Sequence, residues 1–232
     1  MKTIGLIGGL SWESSAVYYQ IINRKTRELL GGLHSCPSLM YSFDFGTIAK
    51  LQQEGNWAEL ENIMIDAARR LERGGAEIII LCTNTMHKLA DAIETAVRIP
   101  FLHIGDATGE AIARSGLKKV GLLGTQFTME EDFLKARIAA KFGIETLVPN
   151  AEDREKVHSI IYNELVKGEI KDDSRKIYVD VIDKLAASGA EGVILGCTEI
   201  PLLVSACDTD VILFDTTKIH AEKAVAAAIF GE

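Results

Sequence analysis

Apolar residues come in short, nearly unbroken runs separated by longer amphipathic stretches. The runs near residues 3–8, 38–44, 77–82, 100–104, 119–124, 145–148, 191–196 and 211–214 read as strands, and helical periodicity fills most gaps between them. Ile78-Ile79-Ile80-Leu81 has no polar alternation, as expected of a parallel strand covered on both faces. Ser11 is placed to cap a helix that runs to about Leu30 and stops at Gly31-Gly32, with Val17, Ile21 and Ile22 facing inward. A second helix is predicted from about Trp57 to Arg73, its apolar stripe being Leu60, Ile63, Met64, Ala67 and Leu71. Strand–helix alternation of this kind predicts an α/β architecture with a doubly wound parallel sheet.

The chain also repeats itself. Ile4-Gly5-Leu6-Ile7-Gly8-Gly9 recurs 116 residues later as Val120-Gly121-Leu122-Leu123-Gly124-Thr125, and Gly75-Ala76-Glu77 recurs 114 residues later as Gly189-Ala190-Glu191. Two matches at nearly one offset predict two similar α/β halves. The 114-residue offset sets Thr83 opposite Cys197 and Asn84 opposite Thr198. Both pairs fall at the C-terminal end of a parallel strand, where open α/β sheets place their ligands. Two related halves would present these positions to each other across a cleft. The expected division is residues 1–98 plus 210–232 for the first half and 99–209 for the second. The crossing is expected near Pro100 to Gly116, with the final strand and helix, about Val211 to Phe230, returning to the first half.

Composition narrows the classes. The 232 residues are 47% hydrophobic and 25% charged, as in an ordinary globular protein. The net charge of −8 comes with no basic cluster, which argues against nucleic acid as a partner. No apolar run approaches the ~20 residues of a membrane span. The stretch Met1 to Gly9 is too short and glycine-rich for a signal peptide, so a cytoplasmic location is expected. Cys36, Cys82, Cys197 and Cys207 form no CxxC pair and have no histidine at metal-ligand spacing, so none is expected to hold a metal.

Two segments carry candidate chemistry: Leu81-Cys82-Thr83-Asn84-Thr85-Met86-His87 and Leu195-Gly196-Cys197-Thr198-Glu199-Ile200. Each ends an apolar strand and opens a segment rich in capping residues. Backbone N–H groups at such a turn bind carboxylates, and the same partial positive charge lowers the pKa of a cysteine placed there. Cys197 is therefore expected to be a usable base near neutral pH. Asn84, Thr85, Thr125 and Thr198 can donate to a carboxylate or simply cap helices. Glu199 can hold an ammonium group or orient Cys197. His87 is expected to pack or hydrogen-bond behind the first segment. Trp12 reads equally as a cleft wall or a core anchor.

Along nearly the whole chain the sequence resembles the cofactor-independent aspartate/glutamate racemases, and among them the bacterial L-aspartate/glutamate-specific (broad-specificity) amino-acid racemases. The likeness rests on Gly8-Gly9-Leu10-Ser11-Trp12-Glu13-Ser14-Ser15, on Asn84-Thr85-x-His87, on Gly124-Thr125 and on Gly196-Cys197-Thr198-Glu199. It implies two doubly wound parallel-sheet domains related by pseudo-twofold symmetry, with the active site in the interdomain cleft. It also implies a homodimer, a small amino-acid substrate and no cofactor, pyridoxal phosphate included. In that family two opposed acid/base groups, usually cysteines, remove and return the α-proton of the amino acid. The first family cysteine falls here at Thr83, one residue after Cys82. Adjacent strand residues point to opposite faces, so Thr83 is expected to face the cleft and Cys82 to pack in the sheet. The implied catalytic residues are Thr83, directly or through water, and Cys197. The implied substrate-binding residues are Leu10, Gln52, Asn84, Thr85, Thr125, Lys167, Thr198 and Glu199, with Lys50 in the region of Gln52.

Other activities stay open. A single thiol on this fold would also serve a maleate isomerase, a decarboxylase or a hydantoin racemase, and a binder without turnover would be an amino-acid sensor. A nucleotide site is disfavoured, because Leu10 stands where GxGxxG needs its last glycine and no Walker lysine follows.

Overall fold

The computed structural model describes residues 1–231, and all eight expected strands are present among them. One parallel sheet contains β1 (Ile4–Gly8), β2 (Ser38–Ser42), β3 (Ile78–Leu81) and β4 (Phe101–Leu102) in the order β2-β1-β3-β4. A second parallel sheet contains β5 (Lys119–Gly124), β6 (Glu145–Leu147), β7 (Gly192–Gly196) and β8 (Ile212–Asp215) in the order β6-β5-β7-β8. The helices are α1 (Trp12–Leu30), α2 (Phe45–Gln53), α3 (Trp57–Arg73), α4 (Ala90–Ala96), α5 (Ile104–Arg114), α6 (Gln126–Glu130), α7 (Asp132–Phe142), α8 (Ala151–Asn163), α9 (Asp172–Ala187), α10 (Ile200–Leu203) and α11 (Thr216–Phe230). Short 3-10 helices span Thr85–Leu89 and Leu165–Lys167.

The chain divides into two units, Met1–Ile104 with everything from His220 onward, and Gly105–Ile219. These crossings differ from the expected ones. Phe101 and Leu102 pair with β3, so the first sheet keeps its fourth strand. The last strand, expected to return to the first half, instead pairs with β7, Leu213 lying beside Val193. Gly192 makes this pairing possible, because a Cβ there would sit 2.9 Å from the Phe214 ring. From His220 the chain joins the first unit, where Ala221, Ala224, Val225 and Ala228 pack with β1 and β3.

Within the first unit, alternate residues of β3 feed two cores. Ile78, Ile80 and Cys82 pack with Tyr18 and Ile22 of α1 and with α11, while Ile79 and Leu81 pack with Leu60, Met64, Ala67 and Leu71 of α3. Each large apolar side chain buried this way contributes roughly 1.5–3 kcal/mol. Helix α3 has the predicted ends and stripe, except that Ala68 replaces Ile63, which is half-buried. Helix α1 is capped by Ser11, whose side chain accepts from Ser14 N–H, and it stops at Gly31. Its buried face is Ser15, Tyr18, Ile22 and Thr26; Val17 and Ile21, expected inside, are half-buried because the core side is turned by one position. Trp12 is 69% exposed and is no core anchor.

The second unit repeats the scheme. Val193, Leu195 and Cys197 share one core with α8, with Tyr178, Val181, Ile182 and Leu185 of α9, and with Ile200 and Leu203 of α10. Among the described residues no helix is long and apolar enough to cross a membrane.

Candidate active site

The two units place their candidate residues by the same register. In the first, Ile7 pairs with Leu81; in the second, Leu123 pairs with Leu195. Thr83 lies two residues beyond the first pairing and Cys197 two beyond the second. Cys197 packs in the same core as Val193 and Leu195, while Thr83 is partly exposed just past the strand end, its N–H donating to the Leu81 carbonyl at 2.9 Å. Cys82 occupies the position of Gly196. It is fully buried in the core that holds Ile78 and Ile80, and burial pushes its thiol far up in pKa, so it is a core side chain.

In the first unit the loops after β1 and β3 adjoin, because Cys82 N–H donates to the Ile7 carbonyl at 2.9 Å. Gly9 makes the first loop possible: its φ is +73°, and a Cβ there would lie 2.2 Å from the Phe43 nitrogen. Its N–H donates to Ser15 Oγ at 2.8 Å. Ser11 is held at φ +144°, a strained value for a residue with a side chain, by the Ser15 hydroxyl donating to its carbonyl and by its own capping bond. Leu10, Asn84 and Thr85 are buried there and Thr83 is partly exposed. Gln52, on α2, reaches the same neighbourhood: its Nε2 donates to Met86 Sδ at 3.1 Å, and its Oε1 is buried without a partner among the described residues. Lys50 points outward, 3.8 Å from Glu54.

In the second unit Gly124 pairs with Gly196, which brings Thr125 beside Cys197. Neither glycine tolerates a side chain, since a Cβ on Gly124 would lie 2.9 Å from the Gly196 carbonyl. Thr125 caps α6, accepting from Thr128 N–H at 3.3 Å. The Cys197 thiol donates to Glu199 Oε2 at 3.0 Å, and the Thr198 hydroxyl donates to the same oxygen at 2.7 Å. All three residues are buried. Glu199 is thus in direct contact with Cys197, as one of its two expected roles requires. Lys167 is exposed on its 3-10 helix, although its neighbour Leu165 packs in the same core as Cys197.

The electrostatics of Cys197 run against the expectation of a lowered pKa. The backbone N–H groups of Thr198 and Glu199 do favour the thiolate, but burial and the adjacent Glu199 carboxylate outweigh them and raise the pKa well above the ordinary thiol value. Two tyrosines with no motif around them border this pair. Tyr162 is pushed up to about 12 by burial, then by the charges of Cys197 and Glu199. Tyr178, raised by the same causes, donates to the Val157 carbonyl at 3.0 Å. Among the described residues no group of three or more His, Cys, Asp or Glu is arranged to hold a metal ion.

His87 sits behind Thr83, as expected, but in a network that sequence reasoning missed. Its Nδ1 lies 2.7 Å from the Thr83 carbonyl, and its Nε2 accepts from Ile104 N–H at 3.1 Å. His103 and His220 lie beside it, with ring centroids 4.6 and 5.8 Å away.

Comparison with known proteins bears on the family and the fold. The model of the Asp/Glu/hydantoin racemase family matches residues 7–224. The broad specificity amino-acid racemase RacX of Bacillus subtilis is 26% identical over 137 residues, 55% of this chain and 56% of that protein, so the match spans little more than half of that relative. A crystal structure from Yersinia pestis, provisionally named an Asp/Glu racemase, is 51% identical with a TM-score of 0.93, covering 99% of this chain and 100% of that one. An aspartate racemase homologue from Pyrococcus horikoshii OT3 is 38% identical with a TM-score of 0.86, covering 98% and 99%.

Proposed function

The chain belongs to the Asp/Glu/hydantoin racemase family, and we propose that it is a cofactor-independent amino-acid racemase that interconverts L- and D-aspartate or glutamate. The observation that carries this reading is the shared strand-end position of Thr83 and Cys197, together with the 3.0 Å hydrogen bond from the Cys197 thiol to Glu199. A two-base racemase needs one proton-transfer group for each face of the α-carbon, and this reading takes one from each copy of the repeat.

In this reading Glu199 first takes the thiol proton. A lone buried thiolate is costly, but this transfer leaves the pair with a single negative charge before and after. The Cys197 thiolate then removes the α-proton: the C–H bond breaks, an S–H bond forms, and the electron pair spreads into the substrate carboxylate. Thr83, directly or through water, delivers a proton to the other face and regains one from solvent, while Glu199 gives up to solvent the proton it took, which restores the starting charge. Asn84, Thr85, Thr125 and Thr198 donate to the substrate carboxylates, and Lys167 pairs with the side-chain acid. The buried, unsatisfied Oε1 of Gln52 suits an ammonium group. No step requires a cofactor.

Incubation with L-Asp, L-Glu, maleate and hydantoins in D₂O, followed by chiral chromatography and mass spectrometry, tests the proposal. The amino acids should drift to equal amounts of both enantiomers with deuterium at Cα. Because enantiomers have equal free energy, kcat/KM must be equal in the two directions, while the unlike groups at positions 83 and 197 make unequal kcat values balanced by unequal KM values. Conversion of maleate or hydantoins alone would assign a different activity of the family. Binding without α-exchange would make the protein a sensor.

A further inference from the structure

The two candidate half-sites are supported differently. Two residues after Cys197 stands Glu199, which accepts a hydrogen bond from its thiol; two residues after Thr83 stands Thr85, which offers no carboxylate. What the first unit offers Thr83 is a tie to its backbone. Ile104 N–H can only donate, so His87 Nε2 is an unprotonated acceptor. The Thr83 carbonyl can only accept, so Nδ1 carries the proton and donates to it. Both nitrogens are committed, and the ring is 2% exposed.

The anchor behind His87 is also specified. His220 Nε2 faces the Leu102 carbonyl at 2.8 Å and must donate to it, leaving Nδ1 to accept from the Tyr18 hydroxyl at 3.0 Å. Tyr18 and His220 have no solvent exposure. Ile104 is the last residue of the first unit before the chain leaves it, and His220 is the first after it returns. One set of polar contacts thus ties α1 and His220 to Leu102, and a second, starting two residues along the chain at Ile104, reaches the backbone of Thr83 through His87.

We infer that His87 is a positioning residue for the Thr83 half of the reaction, setting the direction of the Thr83 side chain by holding its carbonyl against a fixed N–H donor. This rests on the racemase reading above. His87 moves no proton to or from substrate. Its absence lets the turn drift, and displacement on the order of 1 Å costs roughly 100-fold in a positioned step. The Cys197 half of the reaction draws nothing from His87.

The test separates the halves. Wild type, His87→Asn, His87→Gln and His87→Leu are each incubated with one enantiomer of aspartate or glutamate in D₂O. Inversion needs both groups; α-deuteration with retention needs only Cys197. Asn places an N–H where Nδ1 was, Gln offers an acceptor near Nε2 but no donor to Thr83, and Leu offers neither. His87→Leu and His87→Gln should lose inversion roughly 100-fold. The enantiomer that presents its α-hydrogen to Cys197 should keep exchanging, so its exchange-to-inversion ratio rises at least about ten-fold, while His87→Asn should restore a ratio near that of wild type. Should Leu fail to fold, as judged by circular dichroism, the Asn–Gln contrast decides. Parallel loss of exchange and inversion, or no change in either, overturns the inference while leaving the racemase reading intact. A wild type that neither exchanges nor inverts would take down both.

Discussion

Acidification should weaken this fold well above the pH at which its carboxylates titrate, and His220 is the main reason. Complete burial holds its pKa down to about 4 from an ordinary 6.5, the Leu102 carbonyl opposing this only in part. The folded state therefore keeps His220 neutral while the unfolded chain accepts a proton as pH falls below 6.5. The unfolded state binds more protons throughout that window, so stability is full above about pH 7 and declines down to about pH 4. With those two pKa values, the loss between pH 7 and pH 5 is about 2 kcal/mol. Urea unfolding followed by circular dichroism at several pH values measures it, and the midpoint should fall by roughly 1 M. His220→Gln removes the titrating group. That variant should start less stable, because the Tyr18 hydroxyl and Leu102 carbonyl lose their partner, but its midpoint should vary less between pH 7 and pH 5. The reasoning fails if wild type and His220→Gln show the same pH dependence across that range.

Three further outcomes concern the reacting groups. Cys197→Ser should lower racemisation at least roughly 100-fold, as loss of a general acid/base does, when initial rates are followed by chiral chromatography. Cys82→Ser should leave the rate per folded molecule within about three-fold while costing roughly 1–3 kcal/mol of stability, the penalty for a hydroxyl in an apolar core; equal damage from both variants would make Cys82 the second base. Glu199→Gln separates two functions of one carboxylate. The carboxylate raises the thiol pKa and accepts its hydrogen bond, and on the racemase reading it also takes the proton, so Cys197 of the variant should be alkylated by iodoacetamide at lower pH yet turnover should fall roughly 100-fold. Faster turnover in that variant would show that Glu199 only suppresses the thiolate.

Much of this was readable from the chain, and the failures share a cause. Strand positions follow from local apolar runs, and helix ends from Ser11 and Gly31, because a cap or a pleat is decided within a few residues. The equivalence of Thr83 and Cys197 was readable because the repeat preserves strand register, and register determines which face a side chain takes. The sheet that receives β8 was not readable: Ile212-Leu213-Phe214 would suit either edge, and the choice lies in the room that Gly192 leaves for Phe214. Nor could an isolated Trp12 be assigned to surface or core from its neighbours.

His87, His103 and His220 show the same limit more sharply. No spacing links them, since parallel strands and a returning helix bring them together only after folding. On the racemase reading, their assembly bears on the reaction. A duplicated fold begins with two equivalent strand ends, and equivalence alone favours no division of labour. Here one end has a thiol hydrogen-bonded to a buried carboxylate. The other has a hydroxyl whose proton is far harder to remove and whose backbone is held by an imidazole with both nitrogens in use. A weak acid delivers a proton efficiently only from a well-defined direction, because orientation must supply what acidity does not. The histidine cluster therefore belongs on the threonine side, and a cysteine at position 83, being the stronger acid, should depend less on His87. Thr83→Cys in a His87→Leu background should recover inversion to a greater extent than the same substitution changes it with His87 present. If Thr83→Cys has the same multiplicative effect in both backgrounds, the two residues act independently and orientation is not what His87 supplies.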